Sequence, residues 1–463
     1  MFKSILVVLL FSSGSLACGP HPEERPIIFV IFGATGDLAA RKILPALSNL
    51  AREEALPAKF AVVGVGRRDY THEDFRKHFQ GTDADFQKKI FYSKVPFEEP
   101  FSYDNLKGLL LKIDQDFGVK SNRIFFLATQ VSFFAPIVEQ LGVHGMIADP
   151  VHGQEWTRVM IEKPFGHDLE SAIALQSSIE QTLAESQIYR IDHYLAKEGV
   201  QNLILFRSKG DFEPCWNNRY IDHVQITMSE EIGIGSRANF WEETGLLRDV
   251  VQNHLLQVLS LLGSDLPDQN ISKKKTKLLQ EIRPIHLNDI VRGQYGPQSG
   301  ILGYKQELGV PTTSNVETFA AAKLWIDNER WEGVPFYFRA GKRLPVQLVE
   351  AAVFFKQDPY PLVFRIQPNP KVFWHEREIA LSGNTMHEAY ETLLLDCMNG
   401  DRNRFVEKEE QYAAWRLLTP ILHDWHSHAP LKPFPNYPAG TWGPEEALRL
   451  LSEDGREWRD PIF

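Results

Sequence analysis

The sequence is poor in cysteine, and it lacks long apolar runs and an excess of positive charge. Its three cysteines, Cys18, Cys215 and Cys397, are odd in number and widely spaced, so neither a disulfide framework nor a metal site is expected. Beyond residue 25, no run reaches the roughly 20 apolar residues that a membrane-spanning helix needs. A net charge of −10 gives no overall attraction to nucleic acid or to an anionic membrane. We therefore expect a globular protein with neither as partner.

The N-terminal 24 residues differ in character from the rest. Lys3 precedes an apolar run at 5–11, and small residues follow up to Ala17 and Cys18. This pattern is typical of a short signal peptide, which would make the protein secretory or periplasmic if residues 1–18 act as one. The alternative is an extension, native or from a misassigned start codon, on a cytoplasmic enzyme, and we expect the cytoplasm.

With 463 residues, the chain is long enough for two or three domains at roughly 150 residues each. Apolar strand patterns at 27–32, 60–64, 123–128 and 158–161 alternate with helical patterns such as 38–52, as in βαβ units. They predict an α/β Rossmann-type domain over 25–193. Helical patterns at 196–207 and 242–262 and strand patterns at 221–228, 349–356 and 361–367 are segregated instead. They predict an α+β domain with a large, mainly antiparallel sheet over 194–463.

A turn between the first strand and the first helix has the spacing G-x-x-G-x-x-A, with Gly33, Gly36 and Ala39. A diphosphate needs close backbone approach and the free N–H groups of a helix N-terminus. This turn offers both, although by itself the motif is weak and equally describes a tight strand–helix connection. The expected contact residues are Gly33, Ala34, Thr35, Gly36, Asp37 and Leu38.

The second strand is followed by Arg67 and Arg68, where an NAD-selecting fold usually carries an acid. A guanidinium binds a 2′-phosphate in a bidentate manner and stacks on adenine, whereas a carboxylate would repel that phosphate. Arg67 therefore favours NADP over NAD. The alternative is a pair of solvated arginines at a strand end.

Five blocks, which occur in the same order, resemble the signature segments of glucose-6-phosphate dehydrogenases, and the overall pattern is similar to that of bacterial members of that family. They are Gly33-Ala-Thr-Gly-Asp-Leu-Ala39, Glu162-Lys-Pro-Phe-Gly166, Arg190-Ile-Asp-His-Tyr-Leu-Ala-Lys197, Arg248-Asp-Val-Val-Gln-Asn-His254 and Arg330-Trp-Glu-Gly-Val-Pro-Phe336. The resemblance runs from about residue 27 to the C-terminus. It implies NADP-dependent oxidation of glucose 6-phosphate to the 1,5-lactone, the first step of the oxidative pentose phosphate pathway, and a homodimer or homotetramer.

The resemblance also implies the roles of individual residues. His254 matches the family's general base, and a neutral imidazole suits removal of a hydroxyl proton. Asp192 matches the carboxylate that orients this base, and Lys163 matches a lysine between nicotinamide and sugar, with a Lys163–Pro164 bond that is expected to be cis. The substrate residues implied are His193, Tyr194 and Lys197 for the phosphate, and Glu230, Asp249 and Lys342 for the sugar, with no metal.

Two departures from the family pattern concern the rim of the site. No second lysine follows Lys342, and residues 127–131 lack the prolines found there in relatives. Taken alone, His254 would be a packed helical histidine, and Glu230 and Lys342 would be surface charges. The rival interpretations are another sugar oxidoreductase with a Rossmann domain and a non-catalytic paralogue that binds nucleotide. If 193–197 is helical, His193 and Lys197 lie on one face, four residues apart.

Overall fold

The computed structural model describes residues 25–77, 83–266, 270–381 and 387–460, so the predicted leader and Cys18 lie outside the described residues. The strands are Ile27–Phe32 (β1), Phe60–Gly66 (β2), Ile90–Lys94 (β3), Asn122–Leu127 (β4), Thr157–Ile161 (β5), Ile188–Ile191 (β6), Ile221–Glu230 (β7), Ile290–Gly293 (β8), Tyr295–Gly296 (β9), Phe319–Leu324 (β10), Phe336–Lys342 (β11), Leu348–Phe355 (β12), Asp358–Gln367 (β13), Lys371–Trp374 (β14), Arg377–Ile379 (β15), Phe405–Val406 (β16) and Tyr437–Pro438 (β17).

The α-helices are Leu44–Arg52 (α1), His72–Arg76 (α2), Ala84–Lys88 (α3), Ser102–Phe117 (α4), Phe134–Val143 (α5), Leu169–Glu180 (α6), Glu198–Ser208 (α7), Ala238–Leu246 (α8), Leu256–Gly263 (α9), Ile271–Glu281 (α10), Ala389–Asn399 (α11), Lys408–Ser427 (α12) and Glu446–Ser452 (α13). Two π-helical segments, Ala39–Ile43 and Leu247–Leu255, lead directly into α1 and α9.

The first sheet has the strand order β16-β6-β5-β4-β1-β2-β3. Its first six strands in sequence pair in parallel, in the order typical of a dinucleotide-binding fold. Every residue of β1 is buried, as expected for a parallel strand covered by helices on both faces. The predicted Rossmann-type domain is confirmed. An addition that the sequence did not predict is β16, which pairs antiparallel with β6 from more than 200 residues further along the chain.

The second sheet has the order β15-β14-β13-β12-β7-β11-β10-β8. All neighbours pair antiparallel except β7 and β11, which are parallel. The predicted large, mainly antiparallel sheet is therefore confirmed. The parallel pair matters for the site because its register sets Glu230, the last residue of β7, beside Lys342, the last of β11.

Two helix predictions need correction. The helix predicted over 242–262 is interrupted at Gly245, whose φ is 62° and whose added Cβ would lie 2.5 Å from a carboxylate oxygen of Glu317. The helix predicted over 196–207 begins only at Glu198. His193 lies in a 3-10 turn and Lys197 is extended, with φ −68° and ψ 138°, so the expectation that both share one helix face is wrong.

Within the described ranges, no helix is long and apolar enough to cross a membrane. The two cysteines found there, Cys215 and Cys397, are both free thiols.

Candidate active site

The carboxyl edge of the parallel sheet gathers residues from four of its strands. Gly33 follows β1, Ala128 follows β4, Lys163 lies two residues beyond β5, and Asp192 follows β6. The strand order reverses between β1 and β4, and ligands of open α/β sheets bind at such a switch point. The sheet therefore brings the predicted cofactor turn and two predicted catalytic side chains to one edge.

Gly33 has a φ of 81°, and a Cβ placed there would lie 2.3 Å from the backbone oxygen of Ala128. The N–H groups of Gly33 and Ala34 both donate to the Val65 oxygen, at 2.9 and 3.1 Å, and hold the turn against the end of β2. Only glycine fits this backbone without displacement. Gly36 and Asp37 are exposed beyond the turn, and Thr35 and Leu38 are partly exposed. This accessible backbone at the start of a helical segment fits a dinucleotide diphosphate.

Arg67 is exposed one residue beyond β2, and its guanidinium carbon lies 5.8 Å from the centre of the Phe133 ring. Phe133 belongs to a 3-10 turn, Val131–Phe133, in the loop after β4 where the sequence lacks the expected prolines. A cation and an aromatic ring at the mouth of the turn fit a 2′-phosphate and an adenine. Phe133 could not be predicted from the sequence, because only the conformation of the loop brings it to Arg67.

Asp192 and His254 form a buried pair. Nδ1 of His254 lies 2.5 Å from Oδ1 of Asp192, and the same oxygen accepts the Tyr194 N–H at 3.0 Å. A carboxylate at Nδ1 fixes the tautomer with the proton on that nitrogen, which leaves Nε2 as the proton acceptor. The Tyr194 ring stacks on the imidazole with centroids 4.0 Å apart and limits its rotation.

The charges around this pair favour a neutral histidine beside an ionised aspartate. Burial lowers the pKa of His254 below its usual 6.5, and the Asp192 charge opposes this shift only in part. Burial alone would raise the pKa of Asp192, but His254, His193 and Lys163 together hold it well below its usual range. The dyad is therefore ready to accept a proton at neutral pH.

Three further residues surround the dyad. The His193 ring lies edge-on to His254 with centroids 4.7 Å apart. The Lys197 ammonium lies 3.6 Å from the Tyr194 ring centre and donates to Gln367 Oε1 at 2.5 Å. His193 and Lys197 line a cleft of about 840 Å³ that also reaches Leu38 at the cofactor turn. The structure thus brings together the residues expected to hold the phosphate, although not through a shared helix face.

Lys163 connects the sheet edge to the π-helical segment. Its ammonium donates to the backbone oxygen of Asp249 at 2.6 Å and to Oδ1 at 3.1 Å. The Lys163–Pro164 bond is cis, as expected. The preceding Glu162, to which the sequence analysis assigned no role, is buried, and its Oε1 accepts a hydrogen bond from the Tyr390 hydroxyl at 2.9 Å. Burial raises the pKa of Glu162 to about 7.

Glu230 and Lys342 complete the ring of predicted substrate residues. The Lys342 ammonium donates to Glu230 Oε2 at 2.5 Å and lies 4.6 Å from the Trp241 ring centre. Lys342 is only 1% exposed, so the alternative that it is a surface charge is wrong. Burial raises the pKa of Tyr194, and the negative charges of Glu230, Asp192 and Asp249 act in the same direction.

Asp192, His193 and His254 also offer three potential ligand atoms within 4.8 Å of one another. Transition metals do bind such sets. Here, however, the positive charges of Lys163 and Lys197 act on the same groups and oppose a cation. The donor set therefore suits proton transfer better than metal binding.

Comparison with known proteins identifies both halves of the chain. Residues 30–202 match the model "Glucose-6-phosphate dehydrogenase, NAD binding domain", and residues 205–459 match "Glucose-6-phosphate dehydrogenase, C-terminal domain". The glucose-6-phosphate 1-dehydrogenase of Chlamydia muridarum is 42% identical, over 95% of this chain and 97% of the relative. That of Bacillus subtilis is 38% identical, over 94% and 99%.

Two solved structures are similar over nearly the whole chain. One is a glucose-6-phosphate dehydrogenase in complex with its substrate glucose-6-phosphate, with a TM-score of 0.83, 32% identity, and 94% of this chain and 98% of the other covered. The other is the glucose-6-phosphate 1-dehydrogenase of Mycobacterium avium, with a TM-score of 0.80, 31% identity, and 95% and 99% covered.

Proposed function

Because the chain belongs to the glucose-6-phosphate dehydrogenase family, we propose that it oxidises glucose 6-phosphate with NADP and uses His254 as the general base. The product is the 6-phosphoglucono-1,5-lactone. When bound, NADP accepts the hydride that leaves C1 of the sugar. The observation that carries the assignment of the base is the buried hydrogen bond between His254 and Asp192.

The proton chemistry follows from the geometry of the dyad. Nε2 of His254 accepts the proton of the anomeric hydroxyl while the C1–H bond breaks. The resulting imidazolium is stabilised by the ionised Asp192 carboxylate at Nδ1, 2.5 Å away. Since both groups are nearly inaccessible to water, this attraction is only weakly screened.

The substrate phosphate has its donors in His193, Tyr194 and Lys197. Burial lowers the pKa of His193 well below its usual value, so in the free enzyme it is a neutral donor and Lys197 supplies the charge. At the other end of the sugar, Glu230 and Asp249 are acceptors for hydroxyl groups, and Lys342 keeps Glu230 in place. Lys163, held by Asp249, contacts both the nicotinamide and the sugar in this proposal.

Steady-state rates of NADP reduction test this function. We expect turnover with glucose 6-phosphate, and none with free glucose or inositol at the same concentration, because the phosphate donors would lack a partner. His254→Asn lowers kcat by about two to four orders of magnitude with little change in KM. The matched control is His286→Asn, at an exposed histidine outside the site, which leaves the rate unchanged.

Two outcomes would contradict the proposal. Efficient oxidation of unphosphorylated sugars would favour another sugar oxidoreductase. Equal and negligible rates in the wild type and in His254→Asn would favour a protein that only binds nucleotide.

We also propose that the enzyme works in the cytoplasm as a homodimer or homotetramer, with a domain boundary at residue 193. The free thiols of Cys215 and Cys397 are consistent with a reducing compartment. Among the described residues, β15 has no neighbouring strand on its outer side, and this edge of the large sheet is a surface on which a second subunit can pack. Cell fractionation tests the location, light scattering of the purified protein tests the oligomeric state, and limited proteolysis tests the domain boundary.

A further inference from the structure

A small cavity with both polar and apolar lining residues adjoins Asp192. Its volume is about 30 Å³, and Asp192, Gln252, Gln257, Glu410 and Ala414 contribute to its lining. The charged groups Glu162, Lys163 and Arg190 line it as well. The mechanism proposed above does not involve this cavity.

Two carboxylate oxygens on the residues of this cavity lack hydrogen-bond partners. They are Oδ2 of Asp192 and Oε2 of Glu410, and both are buried. Their partner oxygens are fully engaged, since Asp192 Oδ1 bonds His254, and Glu410 Oε1 accepts from Gln257 at 2.6 Å. A buried carboxylate oxygen left without a donor is strongly unfavourable, so both oxygens call for one.

Glu410 belongs to a fully buried network. Its Oε1 lies 2.9 Å from the Lys275 ammonium, and neither side chain has any exposed surface. Lys275 also donates to Gln257 Oε1 at 2.7 Å, and Gln257 lies three residues after His254 on the same continuous helix. The network therefore contacts the helix that carries His254 through Gln257, and it contacts the cavity beside Asp192 through Glu410.

We propose that the cavity is a water site whose occupants bridge Asp192 Oδ2 and Glu410 Oε2, and that Glu410, paired with Lys275, is a positioning residue for the dyad. About 30 Å³ is enough for about two water molecules, which need two to four polar partners each. The bridge restrains the Asp192 carboxylate so that Oδ1 stays on His254. The proposal rests on the proposed role of His254 as base.

The first test fills the cavity without altering a charge. Ala414→Val adds two methyl groups at the lining and displaces water. We expect kcat to fall about fivefold, with both KM values within about twofold of wild type, as for one lost hydrogen bond. The acid limb of the kcat/KM profile moves to lower pH, because a less restrained Asp192 stabilises the imidazolium less. Ala413→Val is the matched control, since Ala413 is equally buried but does not line the cavity.

The second test removes the carboxylate. Glu410→Gln with Lys275→Met deletes both charges together, so that no unpaired buried charge remains. We expect the same fall in kcat and the same shift of the limb. The control is Glu350→Gln with Arg459→Met: Glu350 also has one unbonded buried oxygen, and its other oxygen lies 2.5 Å from Arg459. We expect this control to keep the wild-type pH profile, whatever stability it loses.

A high-resolution crystal structure would show directly whether ordered water occupies the cavity. Ordered water within hydrogen-bond distance of both oxygens supports the proposal, and a dry cavity, or water on one oxygen alone, overturns it. Wild-type kcat and pH profile in both cavity variants would also overturn it. If the wild type fails to oxidise glucose 6-phosphate, the proposed function is wrong. The presence of the water bridge is then tested by the crystal structure alone.

Discussion

Asp192 and His254 are separated by 62 residues in sequence, yet their side chains meet at 2.5 Å. The aspartate ends the sixth strand of the parallel sheet, and the histidine lies in the π-helical segment after Gly245. Both are buried, and one carboxylate oxygen accepts from the imidazole and from the backbone of Tyr194. The pH dependence of the reaction follows from this relationship.

The acid limb of kcat/KM should have its midpoint below pH 6.5, since burial lowers the pKa of His254 from that value. The base must be neutral, and a lower pKa keeps it neutral to lower pH. Asp192→Asn removes the charge that raises this pKa, so the limb moves further to acid. We expect kcat to fall by about two to four orders of magnitude. A limb above pH 6.5, or a shift of the limb to higher pH in the variant, contradicts this assignment.

The basic limb of the kcat/KM profile should reflect the deprotonation of Lys197. Burial lowers its pKa to about 8, so the free enzyme loses this positive charge as the pH rises through that value. We expect kcat/KM for glucose 6-phosphate to fall above about pH 8, mainly through KM. Lys197→Arg retains the charge at all accessible pH values, so its profile should lack that limb. If the arginine variant keeps the limb, another group titrates there.

Arg67→Ala should weaken NADP binding about tenfold to a hundredfold, as expected for a lost charge-assisted, bidentate contact with phosphate. The KM for NAD should change much less, because NAD has no 2′-phosphate and loses only the stacking on adenine. The control is Arg52→Ala, at an exposed position at the end of α1. Rates with both cofactors in parallel measure this effect, and equal NADP and NAD efficiencies in the wild type would refute the role of Arg67.

Gly33→Ala should abolish most cofactor binding, because the added Cβ would lie 2.3 Å from the Ala128 oxygen and the turn must shift. Gly118→Ala is the control that distinguishes the effect of this clash from the effect of backbone strain at a positive φ. Gly118 has a similar φ of 79° but open space around it, so its variant should lose about 1 kcal/mol of stability and no NADP affinity. Fluorescence titration with NADPH and thermal unfolding distinguish the two, and equal affinities in both variants would contradict the prediction.

The sequence predicted the two sheets and the glycine turn, and its resemblance to a known family supplied the candidate residues of the site. The unbroken run of apolar residues was enough to predict β1, because a strand buried on both faces is apolar throughout. Helical spacing was less exact, since it misplaced the start of the helix at Glu198 and missed the break at Gly245. Helical spacing cannot reveal that Glu317 approaches Gly245 too closely for a side chain, since this contact joins distant parts of the chain.

Tertiary structure alone decided which of these residues meet. Phe133, Gln367 and Tyr390 carry no motif. They reach the site from a 3-10 turn, a strand and a helix, respectively, whose positions depend on packing elsewhere. Lys342 reads as a surface charge in sequence, but the parallel register of β7 and β11 buries it beside Glu230. The sequence determined which chemical groups were present. Long-range packing decided their distances and burial, and therefore their protonation, because these depend on neighbours remote in sequence.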